Sequence, residues 1–184
     1  NMKIRKYVCT MFNSKKKFSG LHFTTNHNGK MSGMYSLSTN NLTNSFCKAH
    51  KKCKGSICEK CFADTQLKAW KSMQKPLEEN SKILKGSILD FDQLPYINAL
   101  YFRFEAFGDL DNENQFINYC NIARKNPKTT FTIWTKNPII MDQVFSSGIA
   151  KPENMIIILS SLMLGQEVDQ AMINRFSFID KVFT

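Results

Sequence analysis

Four cysteines, Cys47, Cys53, Cys58 and Cys61, fall within fifteen residues, in a segment otherwise built mostly from lysine and small or polar residues. Free cysteine ordinarily behaves as a small buried hydrophobe, so four of them set between lysines have no packing explanation. Cys58 and Cys61 form a Cys-x2-Cys pair. That spacing lets one turn aim two sulfurs at one ion, and a second pair upstream completes a tetrahedral thiolate set. Residues 42–62 are therefore expected to fold as a metal-binding loop, a cysteine-rich knuckle stapled by a cation. Zinc is the simplest ion, with Cys47, Cys53, Cys58 and Cys61 as its ligands. His50 lies inside the segment and is an alternative to Cys53 as the fourth ligand. A three-cysteine site with one open coordination position is the other arrangement the spacing permits.

Disulfide pairing of the same residues competes with a metal only in an oxidising compartment. The stretch from Met2 to Cys9 is too charged and too short for the apolar core of a signal peptide, which points to the cytoplasm and so to the metal. Cys9 and Cys120 are then isolated thiols, Cys120 on an apolar helix face. No apolar run approaches the length of a bilayer span, so a membrane partner is not expected. At 184 residues the chain is expected to be one domain, 1–184, and a monomer. A chain of that size buries about two thirds of its unfolded surface without help from a metal.

Net charge is +10, and it is unevenly spread. Residues 1–75 hold fifteen Lys or Arg against two acids, Glu59 and Asp64, whereas residues 76–184 hold ten against thirteen. Four thiolates on a divalent ion leave a site charge of about −2, and Lys48, Lys51, Lys52, Lys54 and Lys60 exceed what that requires. With Lys3, Arg5, Lys6 and the Lys15, Lys16, Lys17 run, the surplus describes a face for an anionic partner: nucleic acid, a nucleoprotein or an acidic protein surface. A merely solubilising face is the alternative, because it is built almost wholly from lysine and not from the arginines that usually contact bases.

Downstream the pattern becomes regular. Met34 to Ser38 reads as a first strand that enters a turn at Thr39-Asn40-Asn41, with the cysteine segment directly after it. Phe62, Ala63, Leu67, Trp70 and Met73 form a helical stripe, and a second helix is expected from Pro76 to Leu84 with proline in its first turn. Strands follow at Ala99–Ala106, Thr130–Thr135, Met155–Leu159 and Ile179–Phe183. Helices alternate with them at Asp111–Lys125, capped by Asp111, at Pro138–Phe145 and at Gln166–Ile173. Strands alternating with helices mean βαβ units, so the expected class is α/β: a mostly parallel sheet of about five strands, as an open sheet or a partial barrel, carrying the knuckle after its first core strand.

In parallel sheets the working residues collect where the strands end. Glu105 and Asp109 follow the second of these strands, Thr135, Lys136 and Asn137 the third, and Ser160-Ser161 the fourth. On a shared edge they would place a pair of carboxylates and a lysine beside the cysteines. The competing reading makes Glu105 a buried carboxylate paired with Arg103 or Lys136, and Lys136-Asn137 a turn before Pro138. No Gly-x-Gly-x-x-Gly, phosphate loop or Gly-x-Ser-x-Gly elbow is present, so nucleotide and hydrolase readings lack their usual anchors.

Three stretches carry a family resemblance: Lys30-Met31-Ser32-Gly33-Met34-Tyr35-Ser36-Leu37-Ser38-Thr39; Cys58-Glu59-Lys60-Cys61-Phe62-Ala63; and Phe102-Arg103-Phe104-Glu105-Ala106-Phe107-Gly108-Asp109 leading to Trp134-Thr135-Lys136-Asn137-Pro138. In this order they resemble the gene-product-88-like proteins of phages and other mobile elements. The resemblance implies an upstream cysteine and a Cys-x2-Cys as recurrent features, here Cys47, Cys58 and Cys61, with Cys53 outside the pattern. The strand-to-Gly-Asp pattern is also similar to radical S-adenosylmethionine barrels, in which three cysteines hold an iron–sulfur cluster. Those enzymes use Cys-x3-Cys-x2-Cys, whereas this chain has Cys-x4-Cys-x2-Cys, which favours a closed zinc site.

The expectation that follows is an accessory or counter-defence protein acting in the host cytoplasm. It resembles anti-CRISPR inhibitors in size and charge and would bind a host nucleoprotein, such as a CRISPR effector nuclease, through its basic face. Two alternatives stand beside it. One is an iron–sulfur enzyme with Cys47, Cys58 and Cys61 as cluster ligands and Glu105, Asp109 and Lys136 lining a substrate cleft; the other is a protein that binds nucleic acid directly.

Overall fold

The computed structural model describes residues 20–25 and 32–184. Cys9, His27 and the basic residues Lys3, Arg5, Lys6, Lys15, Lys16, Lys17 and Lys30 lie outside them. The described chain runs β1 (Thr24–Thr25), β2 (Tyr35–Leu37), α1 (Ser45–Lys51), a 3-10 turn (Ile57–Lys60), α2 (Phe62–Ala69), α3 (Lys71–Gly86), a second 3-10 turn (Phe91–Gln93) and β3 (Tyr101–Phe104). It continues with α4 (Glu113–Lys125), β4 (Thr130–Thr135), α5 (Pro138–Ser146), β5 (Met155–Ser160), α6 (Gln170–Arg175) and β6 (Lys181–Phe183).

The class is α/β, as the alternation of elements requires. Six strands form one sheet in chain order, β1 antiparallel to β2 and every later pairing parallel. The strand beyond the expected five is β1, only two residues long and too short to show any periodicity. Because the order never reverses, right-handed crossovers deliver successive helices to one side of the sheet; accordingly α3 packs on α4 and α4 on α5. Among the described residues β1 and β6 do not pair with each other, so the sheet is open.

Strand alternation then sorts the side chains. Phe102 and Phe104 of β3, Phe131 and Ile133 of β4, and Ile157 and Leu159 of β5 are buried under the helices. Arg103, Thr132, Trp134, Ile156 and Ile158 point to the other face and are only half-buried. Phe104 stacks on Tyr119 of α4 at a centroid distance of 4.3 Å and on Phe131 at 5.0 Å. Burying each such side chain stabilises the fold by about 1.5–3 kcal/mol.

Three helix boundaries differ from the expected ones, each for a local reason. Pro76 lies inside α3 and not in its first turn. Trp70, at φ −107° and ψ 73°, breaks α3 from α2, the helix restarts at Lys71, and proline removes one interior backbone donor. The cap of α4 is Asn112, whose side chain accepts from Gln115 N at 3.0 Å, because Asp111 is used elsewhere. The last helix starts at Gln170 and not at Gln166, since Leu162 and Leu164 are drawn into backbone hydrogen bonds with Ile57 and Gly55 of the cysteine segment.

Candidate metal and binding site at the carboxyl edge

The parallel strands end on a common edge, and the cysteine segment leaves it directly after β2. Its first half is helical, a departure from the expected loop. Asn44, fully buried, caps α1 by accepting from Cys47 N at 2.8 Å and donates to the Asp109 carbonyl at 2.8 Å. One amide therefore sets the start of the cysteine helix and ties it to the loop after β3. Ser45 N adds a bond to Asp111 Oδ1 at 2.9 Å, and Lys85 pairs with the same carboxylate at 2.8 Å. On the far side Ile57 N donates to Leu162 O at 2.9 Å and Leu164 N to Gly55 O at 3.1 Å, docking the segment on the loop after β5.

The cysteines are free thiols. Cys47 is on α1, Cys58 in the 3-10 turn and Cys61 at its end, all three half-buried, while Cys53 is exposed. Burial, then the neighbouring charges of Asp109, Glu105, Cys58 and Cys61, push the Cys47 thiol far above its usual range. Burial also raises Cys58, against the pull of the Lys136 ammonium. Cys47, Cys58 and Cys61 thus lie within electrostatic reach of one another on this edge, and Cys58 also feels Cys53. As placed, no group of three His, Cys, Asp or Glu among the described residues is arranged to hold a metal ion. The donor chemistry suits a thiolate-binding metal, whose charge would displace the thiol protons, but the loop must draw together to close on it. His50 has Nδ1 at 3.0 Å from Phe46 O and its ring centroid 4.0 Å from that of Phe46.

The acids of the edge are held inside. Glu105, the first residue after β3, adopts φ +54° and is 2% exposed. Its carboxylate accepts from Thr39 N at 3.2 Å, Thr39 Oγ1 at 3.1 Å, Gln115 Nε2 at 2.7 Å and the Tyr119 hydroxyl. Burial outweighs those bonds and pushes its pKa up to about 7. Among the described residues it forms an ion pair with neither Arg103 nor Lys136, which corrects that sequence reading. Asp109 accepts from Thr135 Oγ1 at 2.5 Å, Lys136 N at 2.9 Å and Leu110 N at 2.8 Å. Burial raises its pKa too. Asn137 N donates to Thr135 Oγ1 at 2.9 Å, a local bond within the turn before Pro138, while its Nδ2 reaches across to Leu110 O at 3.0 Å. Both carboxylates brace the edge loops.

The lysines divide. Lys51 and Lys68 share Asp64, at 2.5 Å and 2.9 Å. Lys48, Lys52, Lys54 and Lys60 are exposed and form no ion pair among the described residues. Exposed Ile57, Phe62 and Leu164, the last two 70% and 75% exposed, belong to the same segment or the loop docked on it. Thr39, Asn44, Gln115 and Tyr119 were not foreseen from sequence. The capping signal at Asn44, an amide shortly before the helical Cys47, was legible; the three partners of Glu105 come from distant segments and carried no sequence mark.

The family model described as Gene product 88 matches residues 9–181. Comparisons with curated proteins and with solved structures found no match.

Proposed function

This chain belongs to the gene product 88 family, and within it we propose an accessory protein of a phage or mobile element. Its cysteine segment binds one metal ion through Cys47, Cys53, Cys58 and Cys61, and its lysine face engages an anionic host partner, a nucleoprotein. One observation carries the reading: four free thiols and four exposed, unpaired lysines, Lys48, Lys52, Lys54 and Lys60, share one short segment whose base is locked to the sheet edge by Asn44. The ion, zinc in this reading, supplies a staple that holds the lysines in a fixed array. Glu105 and Asp109 support the same conclusion, since their carboxylates are saturated by internal hydrogen bonds and serve as braces. A counter-defence role, by occupying a surface that nucleic acid must reach on an effector nuclease, is one form this engagement would take.

A second reading, an iron–sulfur enzyme, draws on a different observation. Cys47, Cys58 and Cys61 stand at the carboxyl edge of a parallel sheet, where active sites of such folds collect.

Anaerobic purification followed by elemental analysis separates the two. The first reading expects colourless protein with one zinc per chain; brown protein containing iron and sulfide establishes the second. The lysine face is tested by retention on immobilised host nucleoprotein over a salt series. Retention should fall steeply with salt and be lost when Lys48, Lys52, Lys54 and Lys60 are all changed to alanine. Equal retention of this variant and the parent would remove the basic face from the account.

A further inference from the structure

The carboxylate that chain order places beside Arg103 is turned away from it. In an extended strand, residues two apart share a face, so Glu105 would continue on the Arg103 side. At φ +54° its carboxylate instead reaches Gln115 and Tyr119 of α4, behind the sheet. A left-handed conformation in a bulky residue is strained and persists only where its surroundings enforce it, as the donors on Glu105 do here.

Arg103 is left on the face that α3, α4 and α5 do not cover. The register sets Ser36 and Thr132 beside it, and Ile156 beyond. Its guanidinium lies 5.2 Å from the centroid of Trp134, which packs in turn on Phe183 at 4.8 Å. Among the described residues, Nε of Arg103 is buried with no hydrogen-bond partner, and the ion pairs of the described chain do not include Arg103. Burial works against its charge and outweighs the attraction of the more distant Glu105 carboxylate. An unsatisfied buried donor is destabilising, the more so when charged, so such groups are rare unless something else supplies the acceptor. Lys181, in register with Ile158 and through it with Trp134, adds a second cation, and these rows hold no acid.

We infer that the face of the sheet opposite α3, α4 and α5 binds a small molecule bearing an oxyanion, a carboxylate or a phosphate, gripped by the Arg103 fork beside Trp134. The guanidinium geometry suits two parallel hydrogen bonds to either group, and the half-buried site, poor in competing water, strengthens them. The site stands independently of the cysteine segment and of the lysine face.

The chain has two tryptophans, so Trp70→Phe leaves Trp134 as a sole fluorescent reporter. That protein is titrated separately with inorganic phosphate and with succinate at constant ionic strength. A saturable change in Trp134 emission is expected with at least one, and the stronger response tells phosphate from carboxylate. Arg103→Lys, which keeps the charge but loses the fork, should weaken binding by about tenfold or more, and Arg103→Gln should abolish it. No saturable change with either anion, or unaltered binding in both Arg103 variants, overturns the inference. Should a variant fail to fold, the Arg103 Nε–H resonance of the Trp70→Phe protein replaces it: a shift on adding the anion supports the site, and an unmoved resonance refutes it.

Discussion

Gly108 and the Glu105 carboxylate compete for one space: a Cβ at Gly108 would stand 2.5 Å from Glu105 Oε2 and 3.0 Å from Thr39 Oγ1. The Gly-Asp of the strand-end pattern is therefore steric in origin, a glycine that lets the chain pass over a buried acid. Gly108→Ala should destabilise the protein by about 2–3 kcal/mol, because the carboxylate it would strike is held by Thr39, Gln115 and Tyr119, and the backbone oxygen of Thr39 at 3.3 Å closes the other side. Urea denaturation followed by circular dichroism measures it. A loss below about 0.5 kcal/mol, the range of ordinary surface changes, would mean that the acid can move aside.

Glu105 makes stability depend on pH. Burial pushes its pKa up to about 7 in the folded chain from an ordinary 4.5, so the folded state binds the proton more tightly. The associated stability is complete below pH 4.5, declines as pH rises through the folded pKa, and is gone above about 7, a total of roughly 3 kcal/mol. Asp109, also raised, acts with the same sign, while Asp111 and Asp64, both lowered by lysine partners, act oppositely as pH falls. The clean readout is the difference between the parent and Glu105→Gln across pH 4 to 8. The variant should lack the decline between about 4.5 and 7, and parallel profiles would show that Glu105 titrates normally.

Asn44→Ala should cost about 1–2 kcal/mol, since it deletes a helix cap and the bond to Asp109 O together. The effect should be local before it is global. Faster amide exchange at Cys47 and Lys48, with little change in β4 and β5, is the expected signature. Uniform acceleration throughout would place Asn44 in the global core.

Cysteine variants separate the metal arrangements. Cys58→Ser should lose the metal, and Cys120→Ser should keep it, because burial holds the Cys120 thiol protonated with its pKa pushed up to about 12. Cys53→Ser decides between the four-thiolate and three-thiolate sites: metal content falls in the first and is retained in the second. Retention of full metal content by Cys58→Ser would exclude the segment as the site.

Much of this architecture was written in local sequence. The runs Thr130–Thr135 and Met155–Leu159 are β-branched and apolar over a strand's length, and Asn126-Pro127 and Gly148 punctuate the helices between them. Such signals depend on a few neighbours only, so the parallel α/β plan, the place of the cysteines after the first core strand and the lysine-rich character of their segment were all legible there. What tertiary structure decided was the partnership of each polar group. Glu105 stands two residues from Arg103 and still gives its carboxylate to Thr39, Gln115 and Tyr119. Asp111, a plausible helix cap, serves Ser45 and Lys85 instead, and Lys51 among five similar lysines is bound to Asp64. Desolvation makes every buried charge seek the donors that packing brings within about 3 Å, and which donors those are depends on how segments tens of residues apart come to lie together.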